Sequence, residues 1–356
     1  MNPEYTLRLE KIEAVLRGIL PGAPSRPWTE GVFNSLDRSP PPEAIQSLLE
    51  PGRDLCCRGG KRWRPLLMIL VCESLGGRDG ALPLTPLVEL PHTASLIHDD
   101  IEDNSDERRG KPAAHLLYGL DQAINGGCFL YFLSLACIDS WKVPADLKNR
   151  VFVIWGEYMR RLHMGQAMDI RWHRDFFSLP NLEEYTLMCR LKTGVLARLA
   201  AVLGTWAAAG VTGAAVEEAA RQAGTLGDAA EKLGVGFQIL DDVKNLSTGN
   251  PGKKRGDDIV EGKKSLPILL YLHRQKDAGA FVTRCFSAAR EAGPEAGEVE
   301  ELICALEAAG VLEEAEKRGQ ELIREAADLF SGFAFPDFPG NEGARGLLAG
   351  FRAFFT

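Results

Sequence analysis

The sequence has no excess of positive charge: 41 Lys and Arg stand against 49 Asp and Glu, for a net charge of −8. A nucleic-acid partner is therefore excluded, because a phosphate backbone demands a basic surface. Paired cysteines are missing too. Cys56, Cys57, Cys72, Cys128, Cys137, Cys189, Cys285 and Cys304 form no Cys-x-x-Cys pair and no Cys/His zinc spacing. Several lie in apolar runs, where a thiol behaves as a small hydrophobe, so reduced structural thiols in a cytoplasmic protein are expected. Residues 1–20 carry Glu4, Arg8, Glu10, Lys11 and Glu13 and have no apolar h-region, so no secretory signal is expected there. Long apolar runs are also scarce. Residues 195–211 include Arg198, and 128–138 is shorter still, so both read as buried helices and no integral membrane segment is expected.

Strand-like alternation is nearly absent, while apolar residues recur at helical spacing almost throughout. The pattern predicts helices at about 3–19, 43–50, 62–75, 84–104, 112–138, 145–175, 182–210, 213–248, 265–275, 278–291, 297–308 and 311–333. A loop rich in Pro and Gly follows the first, with a second stop at Pro40, Pro41 and Pro42. With 45% apolar residues and no repeat, the expected fold class is all-α, one large helical bundle over 1–356. Its motif-bearing core is about 55–270. The terminal segment 330–356, rich in Phe and Gly, carries no assigned chemistry.

Two acidic segments stand out. Asp99, Asp100 and Asp103 follow an apolar run at i, i+1 and i+4. Residues four apart share a helix face, so Asp99 and Asp103 can grip one hard cation with Asp100 beside them. A solvated acidic helix end is the bland alternative. Against it stands the mutual repulsion of packed carboxylates, which a metal would relieve. About 140 residues later Asp241 and Asp242 again follow an apolar helical run. Two such helices facing each other are expected to hold several magnesium ions and a diphosphate, the metal easing departure of that diphosphate.

Basic residues cluster at Lys61, Arg62 and Arg64 after Gly59-Gly60, at Arg108, Arg109 and Lys111, at Lys192, and from Lys253 to Lys264. Each alone reads as a solvated surface. Beside two acidic helices they point to anchored diphosphates, with Arg as a forked donor and Lys as a mobile charge.

Taken together, these residues resemble the trans-polyprenyl diphosphate synthase family. Seven motifs arrive in that family's order: Gly-Gly-Lys-x-x-Arg-Pro at 59–65, His-Thr-Ala-Ser-Leu-Ile-His-Asp-Asp at 92–100, Arg-Arg-Gly-Lys-Pro at 108–112, Gly-Gln-x-x-Asp at 165–169, Lys-Thr-Gly at 192–194, Phe-Gln-x-x-Asp-Asp at 237–242 and Glu-Gly-Lys-x-Ser-Leu-Pro at 261–267. The resemblance implies an isoprenoid-synthase bundle around a deep central cavity, and a homodimer. It implies ionisation of an allylic diphosphate, attack by isopentenyl diphosphate and loss of a proton, with the departing diphosphate as base. By the same resemblance Asp99, Asp103 and Asp241 ligate Mg²⁺, three ions per site, supported by Asp100 and Asp242. Lys61, Arg64, His92 and Arg109 hold isopentenyl diphosphate. Arg108, Lys192, Lys253 and Lys263 hold the allylic diphosphate, while Thr193 and Gln238 steady the cation.

Some residues have plainer readings. Trp63, Phe129, Tyr131, Phe132 and Trp155 read as core packing, and Gln166 and Asp169 fit ordinary polar positions on a buried helix. Asn245 stands where the family has Asp; it brings no charge but can accept a hydrogen bond from metal-bound water, so weaker metal affinity at that cluster is expected. Pro91 is expected to kink the helix leading to Asp99 or to mark its start. Small Ala94 and Ser95, one turn before Asp99, imply by the resemblance a product of C20 or longer. Two rivals are weighed: a class I terpene cyclase, whose second motif does not fit residues 241–249, and a non-catalytic subunit of a prenyl synthase, which would lose aspartates present here.

Overall fold

The computed structural model describes residues 3–34, 36–249 and 254–355. In chain order the helices begin with α1 (Pro3–Ile19), α2 (Arg26–Phe33), α3 (Pro42–Cys57), α4 (Trp63–Ser74) and α5 (Pro86–Glu102). A two-residue hairpin follows, β1 (Glu107–Arg108) with β2 (Lys111–Pro112). Next come α6 (Ala114–Tyr118), α7 (Leu120–Leu133), α8 (Ala136–Ser140), α9 (Ala145–Arg174) and α10 (Leu182–Cys189). A π-helical turn (Arg190–Gly194) joins α10 to α11 (Val195–Thr212), and α12 (Val216–Ser247) and α13 (Asp257–Glu261) follow. The chain continues through α14 (Leu266–Arg274), α15 (Gly279–Ala292), α16 (Gly297–Ala308), α17 (Val311–Gly332) and α18 (Glu342–Ala349). The all-α expectation holds. Contacts group the chain into two compact units: Met1–Gly156, Leu199–Gly227 and Ser331–Phe354 form the first, and Glu157–Arg198, Asp228–Phe330 and Phe355–Thr356 the second.

In the first unit α4 is mostly apolar and mostly buried, with Leu66, Leu67, Met68, Leu70, Val71 and Cys72 shielded from solvent. Helix α1 packs on it through buried Ile12 and Leu16. Helix α18 packs there too, and Asn341 Nδ2 donates to Ser74 O at 2.9 Å. Among the described residues the α-helices α3 and α5 each contain an internal proline, which removes one backbone donor and strands the carbonyl four residues earlier. The structure supplies both replacements. Pro91 lies inside α5, and Leu87 O accepts instead from Trp155 Nε1 at 3.2 Å. Pro51 lies inside α3, and Ser47 O accepts from Gln122 Nε2 at 2.8 Å. Pro91 thus does not mark the start of the Asp99 helix, which begins at Pro86.

In the second unit, buried Tyr185, Cys189, Ile268, Phe286, Leu302 and Ile303 belong to one apolar core. Glycines let three elements of this unit approach closely. A Cβ at Gly165 on α9 would fall 2.4 Å from Lys192 N, and one at Gly234 on α12 would fall 2.8 Å from Gly194 Cα. The backbones of α9, the π turn and α12 therefore meet where Asp169, Lys192, Thr193 and Gln238 are carried.

Among the described residues, two stretches are long and apolar enough to cross a membrane, Leu120–Ser140 and Leu182–Thr212. The second is 78% buried inside the protein, as a core helix would be. The first is broken by a turn between α7 and α8.

Candidate active site: two acidic helices and a basic pocket

Helix α5 delivers the first acidic cluster at its C-terminal end. Asp103 is its C-cap, and its N–H donates to Asp99 O at 2.8 Å. Asp100 is turned inward, 1% exposed, and its Oδ1 accepts from Arg108 Nε at 2.8 Å and Nη2 at 2.5 Å. Arg108 Nη2 also lies 3.8 Å from Asp99 Oδ2. Asp100 therefore supports the cluster through an arginine while Asp99 and Asp103 remain half-buried at its rim. Arg108, expected on the allylic diphosphate, is in this structure the partner of Asp100.

The β1–β2 hairpin aims these arginines. Its two turn residues, Arg109 and Gly110, have φ of 54° and 74°, the left-handed pair a tight two-residue hairpin requires. Arginine in that conformation is strained by about 1–2 kcal/mol. The strain is held by Arg109 Nη1, which donates to Leu55 O at 3.2 Å and to Gly59 O. Arg58, absent from the sequence reading, secures the hairpin by donating to Arg108 O at 2.8 Å.

Behind the hairpin lies a pocket of cations. Arg62 is neutralised by Glu89 and Glu13, each at 2.7 Å. Arg64 is buried, stacks 4.5 Å from the Trp63 ring centroid, and its Nε has no hydrogen-bond partner. Burial lowers its pKa to about 10, with Arg109 pushing the same way and Glu89 opposing. Burial, then Arg64, Arg109, Arg62 and Arg108, hold His92 well below its usual range, so it is neutral at physiological pH. Buried cations gathered this closely suit an anionic ligand. Lys61 is exposed, and its Nζ donates to Phe354 O at 3.0 Å. One turn before Asp99, Ala94 is fully buried and Ser95 Oγ donates to His92 O at 2.8 Å. Trp63, Tyr131 and Trp155 are buried as expected; Phe132 is not, with 69% of it exposed.

Helix α12 delivers the second cluster. Asp241 is exposed, whereas Asp242 is buried as a hub. Asp242 accepts from Tyr185 Oη at 2.7 Å, Gln238 Nε2 at 2.8 Å and Leu266 N at 3.3 Å. Burial raises its pKa to about 6 against those hydrogen bonds. Thr193 Oγ1 donates to Gln238 Oε1 at 2.6 Å, and Lys192 Nζ pairs with Asp169 at 2.5 Å. Gln166 lies half-buried on α9, one turn before Asp169. Lys263 pairs with Glu261 at 2.5 Å. Lys253 lies outside the described residues. Asn245 is 1% exposed, and its Oδ1 accepts from Asp258 N at 3.2 Å at the start of α13. Tyr185, missed in the sequence, reaches Asp242 across 57 residues.

The donors suit a hard divalent cation: Asp99, Asp103 and Asp241 offer only carboxylate oxygens at partly or fully exposed positions. Among the described residues no three His, Cys, Asp or Glu side chains form a metal-holding group by themselves.

Comparison with known proteins agrees. Residues 45–304 match the family model for polyprenyl synthetase, a family known to use divalent metal. Over 284 residues the chain is 33% identical to a geranylfarnesyl diphosphate synthase of Aeropyrum pernix, covering 77% of this chain and 83% of that one. It is 36% identical to a geranylgeranyl pyrophosphate synthase of Eremothecium gossypii, covering 62% and 68%. The crystal structure of geranylgeranyl pyrophosphate synthetase from Pyrococcus horikoshii superposes with a TM-score of 0.78 at 26% identity, covering 98% of this chain and 97% of that one. With seven motifs in order, the fold and the family model in agreement, the chain belongs to the polyprenyl synthetase family of prenyl-transferring enzymes.

Proposed function

We propose that this chain extends an allylic diphosphate with isopentenyl diphosphate to a product of C20 or longer. The observation that carries the reading is Arg64, a buried charge with an unpartnered Nε among Arg109 and His92. A cyclase handles one diphosphate and needs no such second anion pocket. In this reading Arg64, Arg109, neutral His92 and Lys61 bind the diphosphate of isopentenyl diphosphate and orient its double bond. Lys192, Lys263, Arg108 and Lys253 bind the allylic diphosphate. Asp99, Asp103 and Asp241 would hold Mg²⁺, three ions per site, and when bound magnesium neutralises charge on the departing diphosphate. The allylic C–O bond breaks with its electron pair leaving on diphosphate. The isopentenyl double bond then forms the new C–C bond, and a proton passes to a diphosphate oxygen. The Thr193–Gln238 pair, joined by a 2.6 Å hydrogen bond, would offer oxygen dipoles to the positive charge.

We further propose a cytoplasmic homodimer. Reduced thiols support the location, since all eight cysteines are free. The dimer is supported by an apolar row on α7 at Leu120, Ile124 and Phe132, exposed by 54%, 42% and 69%.

The test is incubation of the pure protein with labelled isopentenyl diphosphate, Mg²⁺ and dimethylallyl, geranyl or farnesyl diphosphate, with products identified by mass. Linear products of 20 or more carbons (~C20 and above) are expected from the small residues before Asp99. A cyclic hydrocarbon would replace the reading with a cyclase, and absence of turnover with a non-catalytic subunit.

A further inference from the structure

In the second unit two helix ends share a pair of cations. Trp172 O and His173 O belong to the last turn of α9, and Glu261 O and Gly262 O lie at the end of α13. Lys264 Nζ donates to Trp172 O and to Gly262 O, each at 2.8 Å. Arg290 Nη2 donates to His173 O at 2.7 Å and to Glu261 O at 2.9 Å. Aromatic rings separate the cations. Arg290 lies 4.1 Å from the Phe176 centroid, while Lys264 Nζ lies 5.3 Å from Phe176 and 4.6 Å from Phe286. Gly262, at φ 78°, leaves the room: a Cβ there would fall 2.4 Å from Phe176 Cε1.

Helix C-termini carry unsatisfied carbonyls and partial negative charge, so cations placed between two of them relieve both. Yet Lys264 is 3% exposed. Burial, then Arg290, pushes its pKa down to about 8, with Asp175 and Asp169 opposing. Buried His173 and the Glu261–Lys263 pair are the other titratable groups beside the clamp. Holding a cation here costs stability that an apolar chain of similar length would not.

We infer that Lys264 is a positioning residue for the allylic diphosphate: it locks the 261–265 segment onto the end of α9 and so fixes its neighbour Lys263. Helix α9 also carries Asp169, the 2.5 Å partner of Lys192, so one clamp sets the place of two diphosphate-binding cations. The inference rests on the reading above that Lys263 and Lys192 hold the allylic diphosphate.

Full-length Lys264→Met and Lys264→Arg test it, with each substrate varied in turn. Lys264→Met is expected to raise KM for the allylic substrate about 10-fold or more, as for loss of charged hydrogen bonds. KM for isopentenyl diphosphate and kcat at saturation should stay within about twofold, because the clamp touches neither. Lys264→Arg should recover part of the loss, and the exposed Arg290→Met should give the same pattern more mildly, which covers a Lys264 variant that fails to fold. Hydrogen exchange supplies a readout free of activity: peptides covering 170–176 and 261–266 should exchange faster in Lys264→Met and the rest of the chain should not. Unchanged exchange there would overturn the clamp. Faster exchange with both KM values rising equally would overturn the positioning role. If the wild type turns over no isoprenoid, the functional reading fails, and the clamp stands or falls on exchange alone.

Discussion

Arg64 carries a charge into the protein, where its Nε meets no partner and its pKa falls to about 10. Replacing it relieves desolvation yet removes the proposed phosphate contact, and those two effects have opposite signs. Arg64→Met is therefore expected to melt no lower than wild type while KM for isopentenyl diphosphate rises about 10- to 100-fold, the worth of a charged hydrogen bond. Thermal melts and steady-state kinetics check both halves, and an unchanged KM would remove Arg64 from the donor site. Ala94 makes a second test at this scale. It is fully buried one turn before Asp99, so Ala94→Phe should shorten the product by at least one five-carbon unit at a cost of about 1–3 kcal/mol in overpacking. Mass analysis of the products decides it; an unchanged length distribution would show that Ala94 does not set the product length. Arg64, Arg109, His92 and both aspartate pairs were legible because each belongs to a short motif. Tyr185 and Arg58 were not, since their partners Asp242 and Arg108 lie 57 and 50 residues away, and nothing local in the sequence records such a contact. The contact of Asn245 Oδ1 with Asp258 N, 13 residues on, was likewise not legible in the sequence.

At the scale of elements, the helices were read well wherever apolar periodicity was uninterrupted, and less well near proline and glycine. Residues 297–308 were expected and found as α16. Helix α2 was hidden in the Pro-rich loop: Ser25 accepts from Trp28 N as N-cap and Pro27 sits in the first turn, so the proline starts a helix there. The single helix expected over 112–138 breaks at Gly119, with φ of 89°, and again before α8. Helix α3 runs past its expected end because Gln122 supplies the donor that Pro51 lacks. Glycine placement also sets the second acidic site. A methyl at Gly165 would collide with backbone at Lys192 N, 2.4 Å away, and backbone cannot yield as a flexible side chain does. Gly165→Ala should therefore destabilise the protein by about 1–3 kcal/mol and lower turnover by shifting the Lys192–Thr193 turn. Denaturant unfolding paired with kinetics tests this, and wild-type behaviour in both would show that the close approach has no consequence.

At the scale of the whole molecule, the chain is acidic overall, gathers basic residues locally around Arg62, Arg64, Arg108 and Arg109, and exposes an apolar row on α7. Phe132, 69% exposed, is the most solvent-facing member of that row. Phe132→Glu should convert the proposed dimer to monomers in sedimentation velocity, because a charge on each copy at a self-complementary face is repeated across it. A wild-type that already sediments as a monomer would end the dimer proposal. The two compact units each carry one acidic cluster, Asp99 and Asp103 in the first and Asp241 in the second. The reaction proposed requires both clusters to serve one departing diphosphate.

That requirement is most directly tested by single-turnover rates of chain extension for Asp99→Asn, Asp241→Asn and the double variant. Groups acting as one unit give non-additive losses. Each single variant is predicted to slow the step by about 1,000-fold or more, with the double variant about as slow as the slower single. A single variant at the wild-type rate, or losses that multiply in the double variant, would contradict the account.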